Sequence, residues 1–208
     1  MPSRRPRRFR FLLLPALVGI AIGLAAALLL HRQAPPAAQP TPLQAAATWA
    51  AGTKPAPGFA LRDETGATVS LRSVRRRVVL VTFLDSRCRR ECPLEGRVLH
   101  DVFVDISSTH AVVLVVSVDP WADTATSARA FAARARWSGE WHWLLGSGAT
   151  LSPVWHAYHI AVRRTPGDIV HSTALYVIDR RGDLRAAYLF PFSARAVARE
   201  VEYVEGQT

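Results

Sequence analysis

Val78-Val79-Leu80-Val81-Thr82-Phe83-Leu84-Asp85-Ser86-Arg87-Cys88-Arg89-Arg90-Glu91-Cys92-Pro93 contains the only two cysteines of this 208-residue chain. Val78 to Phe83 is apolar and β-branched throughout, the pattern of a strand covered on both faces. From Pro93 to Ile106 the periodicity changes, and Leu94, Val98, Val102 and Ile106 fall on one helical stripe. The thiols therefore lie where a central strand passes through a loop into a helix. Unpaired N–H groups and the helix macrodipole at that junction favour a thiolate. At i and i+4 the two sulfurs share one helix face, close enough to hold a soft metal ion or to bond each other. A small structural disulfide is the plainer alternative.

Upstream, Phe59-Ala60-Leu61, a Thr65-Gly66 turn and Val69-Ser70-Leu71 read as a hairpin. Downstream, Val112 to Val118 is a second buried strand ending at Asp119-Pro120, where a turn or a loop beside the site is expected. Asp123-Thr124 can cap a helix running through Phe131 to Trp137. Leu144-Leu145, a short helix from Leu151 to His159, a hairpin of Leu175–Ile178 with Leu184–Tyr188, and a last helix over Ala194–Val204 complete the pattern. This order predicts an α/β fold of the thioredoxin type, with a central mixed sheet flanked by helices.

Five arginines fall within the first ten residues, and Phe11 to Leu30 is uncharged and apolar. Twenty residues make a helix of about 30 Å, the thickness of a bilayer core. The sequence predicts a cytoplasmic basic tail over 1–10, a single transmembrane anchor over 11–30, an Ala/Pro-rich linker over 31–57, and a folded domain over 58–208. The flanking arginines would leave that domain on the extracytoplasmic side of the cytoplasmic membrane, periplasmic or at the cell surface. A cleaved signal is the alternative, with small residues near Ala25–Ala27 and at Ala37-Ala38. Beyond the membrane, disulfides persist. The formal charge of +10 is almost all arginine, Lys54 being the only lysine. No basic stretch interleaves with aromatics, so nucleic acid is not an expected partner.

Two thiolates suit Cu(I), whereas zinc or an iron–sulfur centre would want more cysteines than this chain owns. A third ligand must come from elsewhere, and histidine is the obvious donor. Of the seven histidines, His171 leads the β-like run HSTALYVIDRRG, whose start would face the cysteine loop. His31, His100, His110, His142, His156 and His159 read as solvated or packed side chains. Arg87, Arg89 and Arg90 should depress the thiol pKa, yet they disfavour an incoming cation. That keeps a second reading open, a thiol–disulfide oxidoreductase with Cys88 attacking, Cys92 resolving and His171 carrying a proton. Asp85 is a candidate hydrogen-bond acceptor beside the loop or a surface carboxylate. Trp137, Trp141 and Trp143 are a docking surface or core.

Four segments carry a resemblance: FLDSRCRRECP (83–93), SVDPWADT (117–124), LLGSGATLSPVWHAYHI (144–160) and HSTALYVIDRRGDL (171–184). Together, in this order, they resemble the SCO/SenC family of copper-binding proteins that serve cytochrome c oxidase assembly. The resemblance implies a thioredoxin-like domain on a membrane anchor, with one copper, Cu(I) or Cu(II), held by Cys88, Cys92 and His171. It also implies, as partner, the copper-bearing subunit of the oxidase or another copper protein, which receives copper or has its cysteines reduced. Two positions depart from the pattern. Arg89 stands where many members have proline, and Val170 stands where many have aspartate, with Asp168 three positions before the histidine. The second departure raises the question of what orients the imidazole.

Overall fold

Val79–Leu84 forms strand β4, with every residue buried. The computed structural model describes residues 45–107 and 109–207. The basic tail, the apolar run expected as an anchor, and the linker up to residue 44 lie outside the described residues. Among the described residues, no helix is long and apolar enough to cross a membrane.

The other strands are β1 (Ala47–Thr48), β2 (Ala60–Arg62), β3 (Thr68–Ser70), β5 (Val112–Ser117), β6 (Trp141–Leu144), β7 (Val162–Thr165), β8 (Asp168–His171), β9 (Ala174–Ile178) and β10 (Leu184–Leu189). The helices are α1 (Cys92–Asp105), α2 (Ala125–Ala135), α3 (Gly148–Ala157) and α4 (Ala194–Glu205). Six strands make one mixed sheet in the order β1-β10-β9-β4-β5-β6. β4 runs parallel to β5, with Val81 beside Leu114, and antiparallel to β9, with Thr82 beside Leu175. The antiparallel pairing has a consequence for function. It brings the start of β9, and the residues just before it, to the end of β4 where the thiol loop begins.

Alternate residues of β4 feed two cores. Leu80 and Leu84 join Leu99, Val102, Phe131 and Val201 under α1, α2 and α4. Val79, Val81 and Phe83 join Leu151, Trp155 and Tyr158 on the other face, together with Leu61 and Val69 of the β2–β3 hairpin. Cover on both faces is the physical reason the strand shows no polar alternation. The α1–α2 contact is close: a Cβ on Gly96 would come within 2.9 Å of the Phe131 ring. The Trp137 indole N–H also donates to the Gly96 carbonyl, at 2.8 Å.

Several local expectations shift. The buried face of α1 is Cys92, Glu95, Gly96, Leu99, Val102 and Phe103, while Leu94 is 45% exposed. The apolar stripe is therefore rotated by about one position, with a buried glutamate in place of a leucine. Thr124 caps α2 through a reciprocal pair with Ser127, whereas Asp123 turns inward to Ser86 and Ser117. Within the segment expected as linker, Ala47–Thr48 forms β1, which pairs Ala47 with Ala187 of β10. Pro55 also bridges to Asp183, so the described residues upstream of Gly58 join the sheet rather than acting as a free linker. An edge strand of small residues needs only the backbone groups of its neighbour, and leaves no apolar signal. The β7–β8 hairpin, rich in arginine, likewise shows no apolar alternation. The tryptophan cluster is core: Trp143 is fully buried, and Trp137 stacks on it at 6.2 Å.

Candidate metal and thiol site

The two cysteines differ sharply in environment. Cys92 opens α1 and is 0% exposed, while Cys88 lies half-buried in the loop before it, and both thiols are free. Glu91 offers no side-chain cap to α1; Pro93 has no N–H and that of Leu94 bonds the Glu91 carbonyl, so the Cys92 N–H is the first-turn donor left for a sulfur. The Cys88 thiol is pulled down to about 5, first by a hydrogen bond from the Cys92 thiol and then, against burial, by the N–H groups of Arg90, Cys92 and Glu91. That same bond and burial push Cys92 up, so it keeps its proton. The expected depression of the thiol is present, but its cause is the helix terminus and the partner thiol rather than the guanidinium groups.

His171 arrives from the other side of the sheet end, as the last residue of β8, three positions before β9. Its Nδ1 lies 3.0 Å from the carbonyl oxygen of Ser172. With Nδ1–H donating there, the Nε2 lone pair is free, and Nε2 lies 3.6 Å from Cys92 Sγ. A backbone carbonyl thus orients the imidazole, the task that Val170 leaves unfilled. Asp168 is at the far end of β8, where its carboxylate accepts from the Ile169 N–H. Cys92 and His171 are brought together; the donor atoms of Cys88, Cys92 and His171 do not all lie within 4.8 Å of one another. Cys88 instead lines a cavity of about 660 Å³ with Arg87, Arg89, Arg90, Trp121 and Arg164.

Two acidic groups shape the site from behind. Asp85 is buried at 4% exposure and accepts from the Arg87 N–H at 2.7 Å. Burial pushes its carboxyl up to about 6, and the nearby Asp123, Asp119 and Cys88 add to the rise. It therefore belongs to the buried loop and not to the surface. Asp119 accepts from the N–H groups of Trp121 and Ala122 and holds the turn after β5.

Glu95, one helical turn after Cys92, was not apparent as a site residue from sequence. It is wholly buried, and burial pushes it up to about 8. Thr82 Oγ1 lies 2.6 Å from Glu95 Oε1 and 3.1 Å from the Ala174 carbonyl oxygen. One hydroxyl proton cannot serve both acceptors. A protonated Glu95 resolves this by donating to Thr82, which donates to Ala174. The signal available in sequence was an acidic residue three positions after Cys92, on the same helix face. Of the other histidines, His142 pairs with Asp63 at 2.8 Å, and His100 Nδ1 lies 2.7 Å from the Arg136 carbonyl. His31 lies outside the described residues.

The SCO1/SenC family model matches residues 50–204. The chain belongs to the SCO1/SenC family. Its fold is that of solved Sco proteins. The copper-bound ScoI structure of Bradyrhizobium japonicum is 20% identical, with a TM-score of 0.64, covering 72% of this chain and 98% of that one. The copper-bound structure of yeast Sco1 is 17% identical, with a TM-score of 0.64, covering 74% of this chain and 90% of that one. BsSco, described as carrying a disulfide switch and as a member of the Sco family of cytochrome c oxidase assembly proteins, is 20% identical, with a TM-score of 0.62, covering 81% and 98%. No curated protein matches the sequence. These likenesses support the thioredoxin-like architecture expected for this SCO1/SenC chain.

Proposed function

We propose that this protein is a membrane-anchored copper metallochaperone, with Cys88, Cys92 and His171 as ligands and copper as cargo. The observation that carries the proposal is the approach of His171 Nε2, its lone pair free, to the sulfur of Cys92. Two sulfurs and an imidazole suit both oxidation states of copper. Cys88 completes the set by turning from the cavity toward Cys92 and His171. Three ligands leave a position open, so a partner's donors can replace them one at a time. Membership of the SCO1/SenC family and the assembly role printed for BsSco support the dinuclear copper centre of cytochrome c oxidase as the destination. The apolar run 11–30 would tether the domain on the extracytoplasmic side.

Copper analysis of the reduced domain tests the ligand set. One copper per chain is expected, with a thiolate-to-Cu(II) absorption band that is lost in Cys92→Ser and His171→Ala. Unchanged copper content in both variants would sink the proposal. Mass measurement of the mature protein tests the anchor: a chain beginning beyond Leu30 would refute it.

The contrast between the thiols favours a second reading, reduction of a partner's disulfide. A thiolate at Cys88 with a proton retained on Cys92 is the division between attacking and resolving groups. A Cys88–Cys92 potential below about −300 mV would suit a reductant. A much higher potential together with tight copper binding would count against it.

A further inference from the structure

Arginines crowd the mouth of the thiol site, and among the described residues none of them forms an ion pair. Arg87, Arg89 and Arg90 from the loop and Arg164 from β7 line the cavity around Cys88. A second cavity, of about 760 Å³, continues past Cys88 on the other side of the loop and adds Arg134. Among the described residues, no carboxylate pairs with Arg87, Arg89, Arg90 or Arg164. Asp85, Asp119 and Asp168 line the same cavity and offset part of this charge, but each accepts a backbone N–H of its own loop or strand and none pairs with these arginines among the described residues. Arg87, Arg89, Arg90 and Arg164 therefore face solvent without a carboxylate partner, while Arg134 donates to the Ser86 carbonyl.

Trp121 stands at the same mouth, 52% exposed, with the Arg164 guanidinium 5.0 Å from its ring centroid. The cation–π contact holds both side chains at the mouth, where a partner can reach them. Both residue types are those that anchor protein interfaces. The openings on both sides of Cys88 are also far larger than a lone metal ion requires. We propose that this face docks an acidic protein surface, whose carboxylates meet the arginine rim while its own thiols reach Cys88. The inference rests on the reading that Cys88 meets a partner's thiols, and adds the chemistry by which that partner is selected.

The test uses the reduced protein and two synthetic peptides, identical except that an internal disulfide is flanked by four glutamates in one and four lysines in the other. Cys88 thiolate attacks a peptide sulfur, forming a mixed disulfide as the peptide S–S bond breaks and one peptide thiol is released. Cys92 then loses its proton and attacks Cys88, releasing the second peptide thiol and leaving a Cys88–Cys92 disulfide. Two electrons pass from the protein dithiol to the peptide. Each rate is divided by the rate of dithiothreitol on the same peptide, which removes the peptides' own difference in reactivity.

At low ionic strength, the normalised rate should favour the acidic peptide about tenfold or more. Near 0.5 M salt the preference should collapse. Arg164→Glu should cut the preference several-fold, and Arg164→Lys should largely restore it. Equal normalised rates at low salt would overturn the proposal while leaving thiol exchange intact. No exchange with either peptide would overturn the underlying thiol-exchange reading and the proposal with it. A faster reaction with glutathione disulfide than with the acidic peptide would overturn it in favour of a small anionic partner.

Discussion

The β4–α1 corner and the β7–β8 hairpin each bring one half of the site, and they are held by very different means. The corner is embedded: every residue of β4 is buried, and Cys92 lies beneath it with no exposure. The hairpin is a two-stranded sheet of its own, outside the six-stranded one, and its residues are half-buried or exposed. Two strands alone contribute little stability in water. One half of the site is thus fixed by the core, while the other is held at its edge. For the proposed copper carrier, which would close on a metal ion and later release it, that division is an advantage.

The sharpest test of the corner is thiol reactivity, which should separate Cys88 from Cys92 by the largest factor. Iodoacetamide should label Cys88 at pH 7 roughly a hundredfold faster than Cys92, because the reactive species is a thiolate that the reagent can reach. The rate should titrate near the value of about 5 to which Cys88 is lowered. Equal labelling of the two thiols in the folded protein would contradict the buried, proton-holding Cys92. Next in size is the packing beneath it. Leu99→Ala removes a fully buried side chain of α1, and a loss of about 2–5 kcal/mol in denaturant unfolding is expected. A loss under 1 kcal/mol would mean that the corner is not anchored as described.

The corner was also the region most legible in the sequence. An apolar β-branched run needs burial on both faces, and a strand entering a helix there leaves few topologies open. Cys88 and Cys92 stood out because the chain has no other cysteine. His171 was found through its place before a strand, although it ends β8 rather than leading β9. The hairpin itself was not visible, because Val162-Arg163-Arg164-Thr165 carries no apolar alternation and its partner strand is only four residues long. Glu95 was hidden for a different reason. Helical spacing allows two adjacent stripes, and the one through Leu94 has the greater hydrophobicity. Only the contact of α1 with Phe131 and Thr82 shows that the face through Glu95 turns inward.

Glu95 supplies the third test, on pH. Its folded-state value is raised from 4.5 to about 8, so between those values the fold holds a proton that the unfolded chain has released. Its contribution to stability is therefore full below about pH 4.5 and is lost as pH rises through about 8. Glu95→Gln keeps a neutral donor to Thr82 at every pH. Relative to wild type, the variant should gain stability steadily from pH 5 to pH 8, by at most a few kcal/mol. Parallel pH profiles for the two proteins would show that Glu95 is ionised in the fold.

The smallest effect on stability is expected in the hairpin, and there it sharpens the comparison most. Ile169 is partly buried on β8 and packs at the rim of the core that holds Phe83 and Tyr158. Ile169→Ala should cost about 1 kcal/mol, well below Leu99→Ala, because it uncovers only part of a side chain at an edge. The same substitution loosens the strand that ends in His171, so copper should dissociate faster while Cys88 alkylation is little changed. A hairpin as tightly held as the corner would reverse that order, with Ile169→Ala costing as much as Leu99→Ala and copper release unaltered. In that event the imidazole would be a fixed wall of the site, and the closing movement would have to come from the Cys88 loop alone.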